Sequence, residues 1–110
     1  MKVDHKAHAV ILKDTQGDLA SFILKVTQQY KTFEKQNITI DLLSYKALNN
    51  TDLELFLPLA EQHTNAQKSF VIVADAIDFN AVTEALIVVP SLLEAHDIIE
   101  MDEITRDLGF

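Results

Sequence analysis

Two uninterrupted apolar runs, Ser69 to Ala74 (SFVIVA) and Ala85 to Val89 (ALIVV), constrain this chain more than any other feature. A strand with one wet face alternates polar and apolar residues. Runs without that alternation are expected of strands covered on both sides, as in a parallel sheet flanked by helices. Both runs are therefore read as central strands. Helices to cover them are legible on either side. Asp18 is placed to cap a helix whose Leu19, Phe22, Ile23, Val26, Tyr30 and Phe33 recur at helical spacing on one face, leaving Lys25, Lys31 and Lys35 on a solvated one.

The remaining elements follow from local signals. Val3 and then Ala9 to Leu12 read as two short strands joined through Lys6-Ala7 as a hairpin. Ile38 to Leu43 is a further apolar strand, and Thr51-Asp52-Leu53-Glu54 has the capping-box pattern that opens a helix at Thr51. That helix would turn Leu53, Phe56, Leu57 and Ala60 inward. Pro58 falls inside it, so the helix either kinks or restarts with Pro58 near its first position. Asp75 to Glu84 lacks helical periodicity and reads as a loop with one turn around Phe79 to Val82. Pro90 ends the last strand, and Ser91-Leu92-Leu93-Glu94 caps a final helix with Leu92, Ala95 and Ile99 inward. Ile98, Met101, Ile104 and Leu108 extend a second apolar stripe, and the chain ends in Phe110. Strands alternating with helices give an α/β domain over residues 1–110, with a mixed, mostly parallel sheet and residues 100–110 as a C-terminal helical extension.

Composition narrows the function classes. With 110 residues, 48% of them apolar, the chain is long enough for one core without staples. The absence of Cys removes thiolate metal sites and thiol catalysis, and two Gly argue against a phosphate-cradling loop. The net charge of −8 disfavours binding to nucleic acid or anionic membranes, both of which require Lys and Arg. No run reaches the roughly 18 apolar residues of a membrane span. The first residues, MKVDHKAHAVILKD, are too charged for a signal peptide, so a cytoplasmic protein is expected. From Phe70 to Phe110 nine acids face the single Arg106, while the first 36 residues hold six Lys against four acids. The acidic end suits a basic partner surface.

The order hairpin, helix, strand ending in Ile40-Asp41-Leu42, polar corner, helix, strand, strand, helix resembles the STAS domain of anti-sigma-factor antagonists. Asn49-Asn50-Thr51-Asp52-Leu53 occupies the place of that family's Asp-Ser-Ser-Gly-Leu loop. The resemblance implies a STAS-like fold and a non-catalytic regulatory role in protein binding. It also implies a phosphorylated hydroxyl at Thr51 and an anti-sigma factor or kinase-like regulator as partner. Asn49, Asn50 and Asp52 depart from the family's acid, first Ser and Gly, and Asp52 puts a carboxylate beside the only hydroxyl. The tail IVVPSLLEAHDIIEMDEITRDLGF is similar to that of short bacterial proteins that carry the label ribonuclease Z. That likeness implies, as an alternative, an accessory to an RNA-processing enzyme, because the His residues at 5, 8, 63 and 96 do not form the clustered ligand set such a nuclease needs.

Each candidate has a plainer structural reading. Thr51 is a helix cap before it is a switch. Leu55 and Leu59 share a helical face offset from the inward stripe, and with Pro58 they form either a docking patch beside Asn49, Asn50, Thr51 and Asp52 or ordinary core. Asp41 and Asp75 lie at strand ends, where open α/β sheets bind ligands, which leaves a small enzyme or ligand-binding protein as a further alternative to capping and turn roles. His5 and His8 read as surface residues rather than metal ligands. The acidic helix from Glu94 to Asp107 reads first as a solvated face and second as a docking helix. The expectation is a protein-binding module without cofactor or metal, with a homodimer as one form of partner.

Overall fold

Strands β3 (Asn37–Asp41) and β4 (Phe70–Val73) are buried along their whole length, as the continuous apolar run of β4 requires, while β3 buries the polar Asn37, Thr39 and Asp41 as well as Ile38 and Ile40. The structure is a computed structural model that describes residues 1–109. Around this pair a five-stranded sheet forms in the order β1-β2-β3-β4-β5, with β1 spanning Lys2–His5, β2 Ala9–Lys13 and β5 Ile87–Val89. β1 and β2 pair as an antiparallel hairpin, and the other neighbours are parallel. The α/β class and the mixed, mostly parallel sheet expected from the sequence are therefore present.

Alternation along the central strands sends their side chains to two layers. Val10, Leu12, Ile38, Ile40, Phe70 and Ile72 meet α1 (Leu19–Gln28), α2 (Tyr30–Phe33), α3 (Asn50–Glu54) and α4 (Leu57–Asn65) in the main core. Val71 and Val73 point to the opposite face and pack against Ala95 and Ile99 of α5 (Leu92–Asp107). Asp18 caps α1 as its position indicates, accepting from the Ser21 amide at 3.2 Å. The helix expected through Phe33 is interrupted at Gln29, where φ −99° and ψ 6° leave helical geometry, yet Phe22, Val26, Tyr30 and Phe33 still share the buried side.

Two expectations change. Ala85 to Val89 is not central: β5 is an edge strand, and Ile87 is 43% exposed. Each parallel connection steps one place in the same direction across the sheet, so the last strand has a neighbour on one side only. Its connection from β4 contains a single 3₁₀ turn, Phe79–Ala81, where one turn was expected. Leu92 lies more than a third exposed rather than inward, because Ala95 and Ile99 alone supply the buried stripe of α5. α5 runs unbroken through residue 100, and Phe110 lies outside the described residues.

The far end of α5 is fastened to the sheet by a polar network. Ser69 Oγ donates to Asp102 at 2.6 Å and accepts from Arg106 Nη2 at 2.5 Å. Arg106 also donates to the Gln67 carbonyl at 2.7 Å, steadying a residue with φ +62°. Buried Asn37 donates to Glu103 at 2.8 Å and accepts from the Ser69 amide at 2.9 Å. Each polar group that the strand starts bury finds a partner, as burial demands.

Candidate functional site

The polar corner between β3 and α3 is assembled at the C-terminal end of the parallel strands. Asp41, the last residue of β3, is buried, and its Oδ1 accepts from the Leu43 amide at 3.0 Å. Tyr45 reaches across to Asp14, which follows β2, and donates its hydroxyl to that carboxylate. Leu48 donates its amide to the Ala76 carbonyl at 3.2 Å, tying the corner to the loop after β4. The loops after β2, β3 and β4 thus hold one another.

The Asp14–Tyr45 pair has a definite charge state. Burial would raise the Asp14 pKa, but hydrogen bonds from Tyr45 and from the Gln16, Asp18 and Gly17 backbone outweigh it and hold the carboxyl below its ordinary value. Burial, and then the bond to Asp14 and its charge, push the Tyr45 phenol well above the usual tyrosine range. Tyr45 therefore stays a donor and Asp14 an acceptor at neutral pH, which suits pinning rather than proton transfer. By the sign of the Asp14 shift, this contribution is complete above the ordinary carboxylate range and is lost as pH falls through the folded value.

The cap of α3 corrects the sequence reading. Asn49, not Thr51, is the N-cap: its side chain accepts from the Asp52 amide at 2.9 Å, and Asp52 accepts from the Asn49 amide at 3.2 Å. The capping box closes two residues earlier because Asn is at least as good a cap as Thr, and Asp52 sits at the third helical position to reciprocate. Thr51 is left inside the first turn with an exposed side chain. Asn49→Ala is expected to cost about 1 kcal/mol, and Thr51→Ala less than about 0.5 kcal/mol, in chemical denaturation. Asn50, one residue on, carries a buried Oδ1 without a hydrogen-bond partner among the described residues.

α3 ends at Glu54, and α4 starts at Leu57 with Pro58 in its first turn, where a missing N–H costs nothing. This restart separates the three apolar candidates. Leu55 is 53% exposed and Pro58 is exposed, whereas Leu59 is 4% exposed and belongs to the main core. The proposed pairing of Leu55 with Leu59 is therefore overturned: the turn at Leu55–Phe56 breaks the spacing of four that a single regular helix would impose. Of the candidate residues, Asn49, Thr51, Leu55 and Pro58 are exposed and Asn50 and Asp52 are half-buried.

Asp75 stands exposed in the loop after β4, while Asp41 is consumed by its turn. No group of three or more potential ligands among the described residues is gathered to hold a metal ion. A groove of about 620 Å³ lies at the opposite end of the sheet between Lys68, Ser69, Ile87, Thr105 and Arg106. His5 and His8 are exposed as expected, His8 Nδ1 donating to the Glu103 carboxylate at 2.9 Å. His63, in contrast, is wholly buried between the Tyr30 hydroxyl at 2.7 Å and the Gln36 carbonyl at 2.6 Å. Its position, four residues after Leu59 and three after Ala60, is the signal that places it inward. The Asp14–Tyr45 bond has no such signal, since it links loops 31 residues apart.

No helix among the described residues is long and apolar enough to cross a membrane. No family model matches the chain, and no curated protein matches it.

Proposed function

We propose that this chain is a STAS-like protein-interaction module without catalytic activity, which docks a regulatory protein through the corner at Asn49–Pro58. The observation that carries this reading is Leu55, a large apolar side chain more than half exposed at the end of α3, the helix that follows the corner tied by Tyr45–Asp14 and Leu48–Ala76. A rigid, pre-formed surface binds with a smaller ordering cost than a mobile one. The succession of hairpin, helix, strand, corner, helix, strand, strand and helix supports the STAS-like assignment, as does the position of the corner between β3 and α3.

The exposed Thr51 hydroxyl at the start of α3 is the corresponding switch position. A phosphate there would gain from the helix dipole and lose from Asp52 and Glu54, so its main effect would be to charge the docking surface. The partner implied is an anti-sigma factor or a kinase-like regulator. Affinity purification of the native protein with mass spectrometry tests the reading. A stoichiometric protein partner and modified Thr51 are expected; recovery of the chain alone with Thr51 unmodified would contradict both parts.

A further inference from the structure

The outer face of α5 carries more apolar surface than its packing uses. Ala95 and Ile99 are buried against Val71 and Val73, while Leu93, Met101, Ile104 and Leu108 are 69%, 63%, 54% and 65% exposed. At roughly 100° per residue, these four side chains fall within about 80° of arc on the side away from the sheet. Four large apolar residues aligned along one helix exceed the scattered exposure that a soluble surface ordinarily shows.

The charges around this stripe have one sign. Glu94, Asp97, Glu100 and Asp107 are exposed on the same or the bordering positions of the helix. Arg106, the only Lys or Arg of α5, is turned toward the sheet and spent on the Gln67 carbonyl and Ser69. Glu94 also caps the helix through Ser91 at 2.9 Å, and Glu100 contacts His96 at 3.1 Å. The outer face therefore presents apolar side chains and carboxylates, with no Lys or Arg from α5.

We propose that the outer face of α5 is a second docking site, whose occupant is a basic amphipathic helix of another protein. Such a helix lays its apolar side on Leu93, Met101, Ile104 and Leu108 and sets Lys or Arg against Asp97, Glu100 and Asp107, the arrangement of helix-on-helix recognition. A second copy of this chain fits poorly, because it brings the same acids against these and a net charge of −8 against −8. α5 covers the face of the sheet opposite α1–α4, so this site and the Leu55 corner are occupied independently. The chain then joins two partners.

The probe is a synthetic 18-residue helix with Leu on one side and Lys on the other, compared with its Glu-for-Lys counterpart. Binding to the full chain is followed by fluorescence anisotropy and by amide chemical shifts. The Lys peptide is expected to bind and to shift amides along α5. Met101→Asp with Ile104→Asp weakens it at least tenfold, and Asp97→Asn with Glu100→Gln weakens it several-fold and removes most of its salt dependence. These positions are exposed, so thermal melts of the variants are expected to match the parent; if the Asp pair melts early, Met101→Ala with Ile104→Ala is the comparison. Equal binding of the Glu peptide, binding unchanged in the stripe variants, or shifts confined to residues 49–58 would overturn the proposal. So would a concentration-dependent dimer abolished by the stripe variants, which would assign the face to a second copy.

Discussion

Leu59→Asp is expected to unfold the protein, while Leu55→Asp, four residues earlier, leaves its stability within about 0.5 kcal/mol of the parent. Leu59 is 4% exposed in the core formed by Phe22, Phe56 and Ile72. Replacing it forfeits about 2 kcal/mol of apolar burial and also places a carboxylate where nothing pairs with it, at several kcal/mol more. A domain of this size has only about 5–15 kcal/mol to lose. Circular dichroism of the two purified variants is the check, with a cooperative melt expected for Leu55→Asp and none for Leu59→Asp.

His63→Ala is expected to cost about 3–5 kcal/mol in chemical denaturation. It empties the space of a ring wholly inside the core and strands both the Tyr30 hydroxyl and the Gln36 carbonyl. The contacts fit a neutral imidazole, with Nε2–H donating to Gln36 and Nδ1 accepting from Tyr30. Burial lowers the pKa of His63 below its ordinary 6.5, opposed by the Gln36 carbonyl and assisted by the charges of Lys68 and Arg106. The unfolded chain therefore takes up a proton first on acidification. The contribution of His63 is complete above pH 6.5 and declines as pH falls below it toward the folded value. The stability difference between parent and His63→Ala should accordingly be constant from pH 7 to 8 and narrow near pH 5.5. A difference that widens on acidification would show that the ring is charged in the folded state.

These two residues mark where sequence reading succeeds and where it stops. Uninterrupted apolar runs and helical spacing identified the strands, the buried face of α1 and α2, and the layered α/β arrangement, because period is a direct consequence of which side meets the core. His63 sits on that same period and was legible in principle from Leu59 and Ala60. The exposure of Leu55 and the burial of Leu59 were not separable, because their fates depend on a two-residue break at Leu55–Phe56 that changes helical phase. The cap at Asn49 was hidden by a competing Thr51–Glu54 pattern of equal local merit. Two features depended on contacts that no local pattern encodes: the edge position of β5 and the bond from Tyr45 to Asp14.

The proposed docking of a protein at Asn49–Pro58 rests on Leu55. Its most direct test is affinity capture from the native cell with the parent chain and Leu55→Asp at equal concentration, after both are shown to melt alike. A stoichiometric partner is expected to be retained by the parent and reduced at least tenfold by Leu55→Asp. Equal recovery of that partner by a folded Leu55→Asp variant would contradict it.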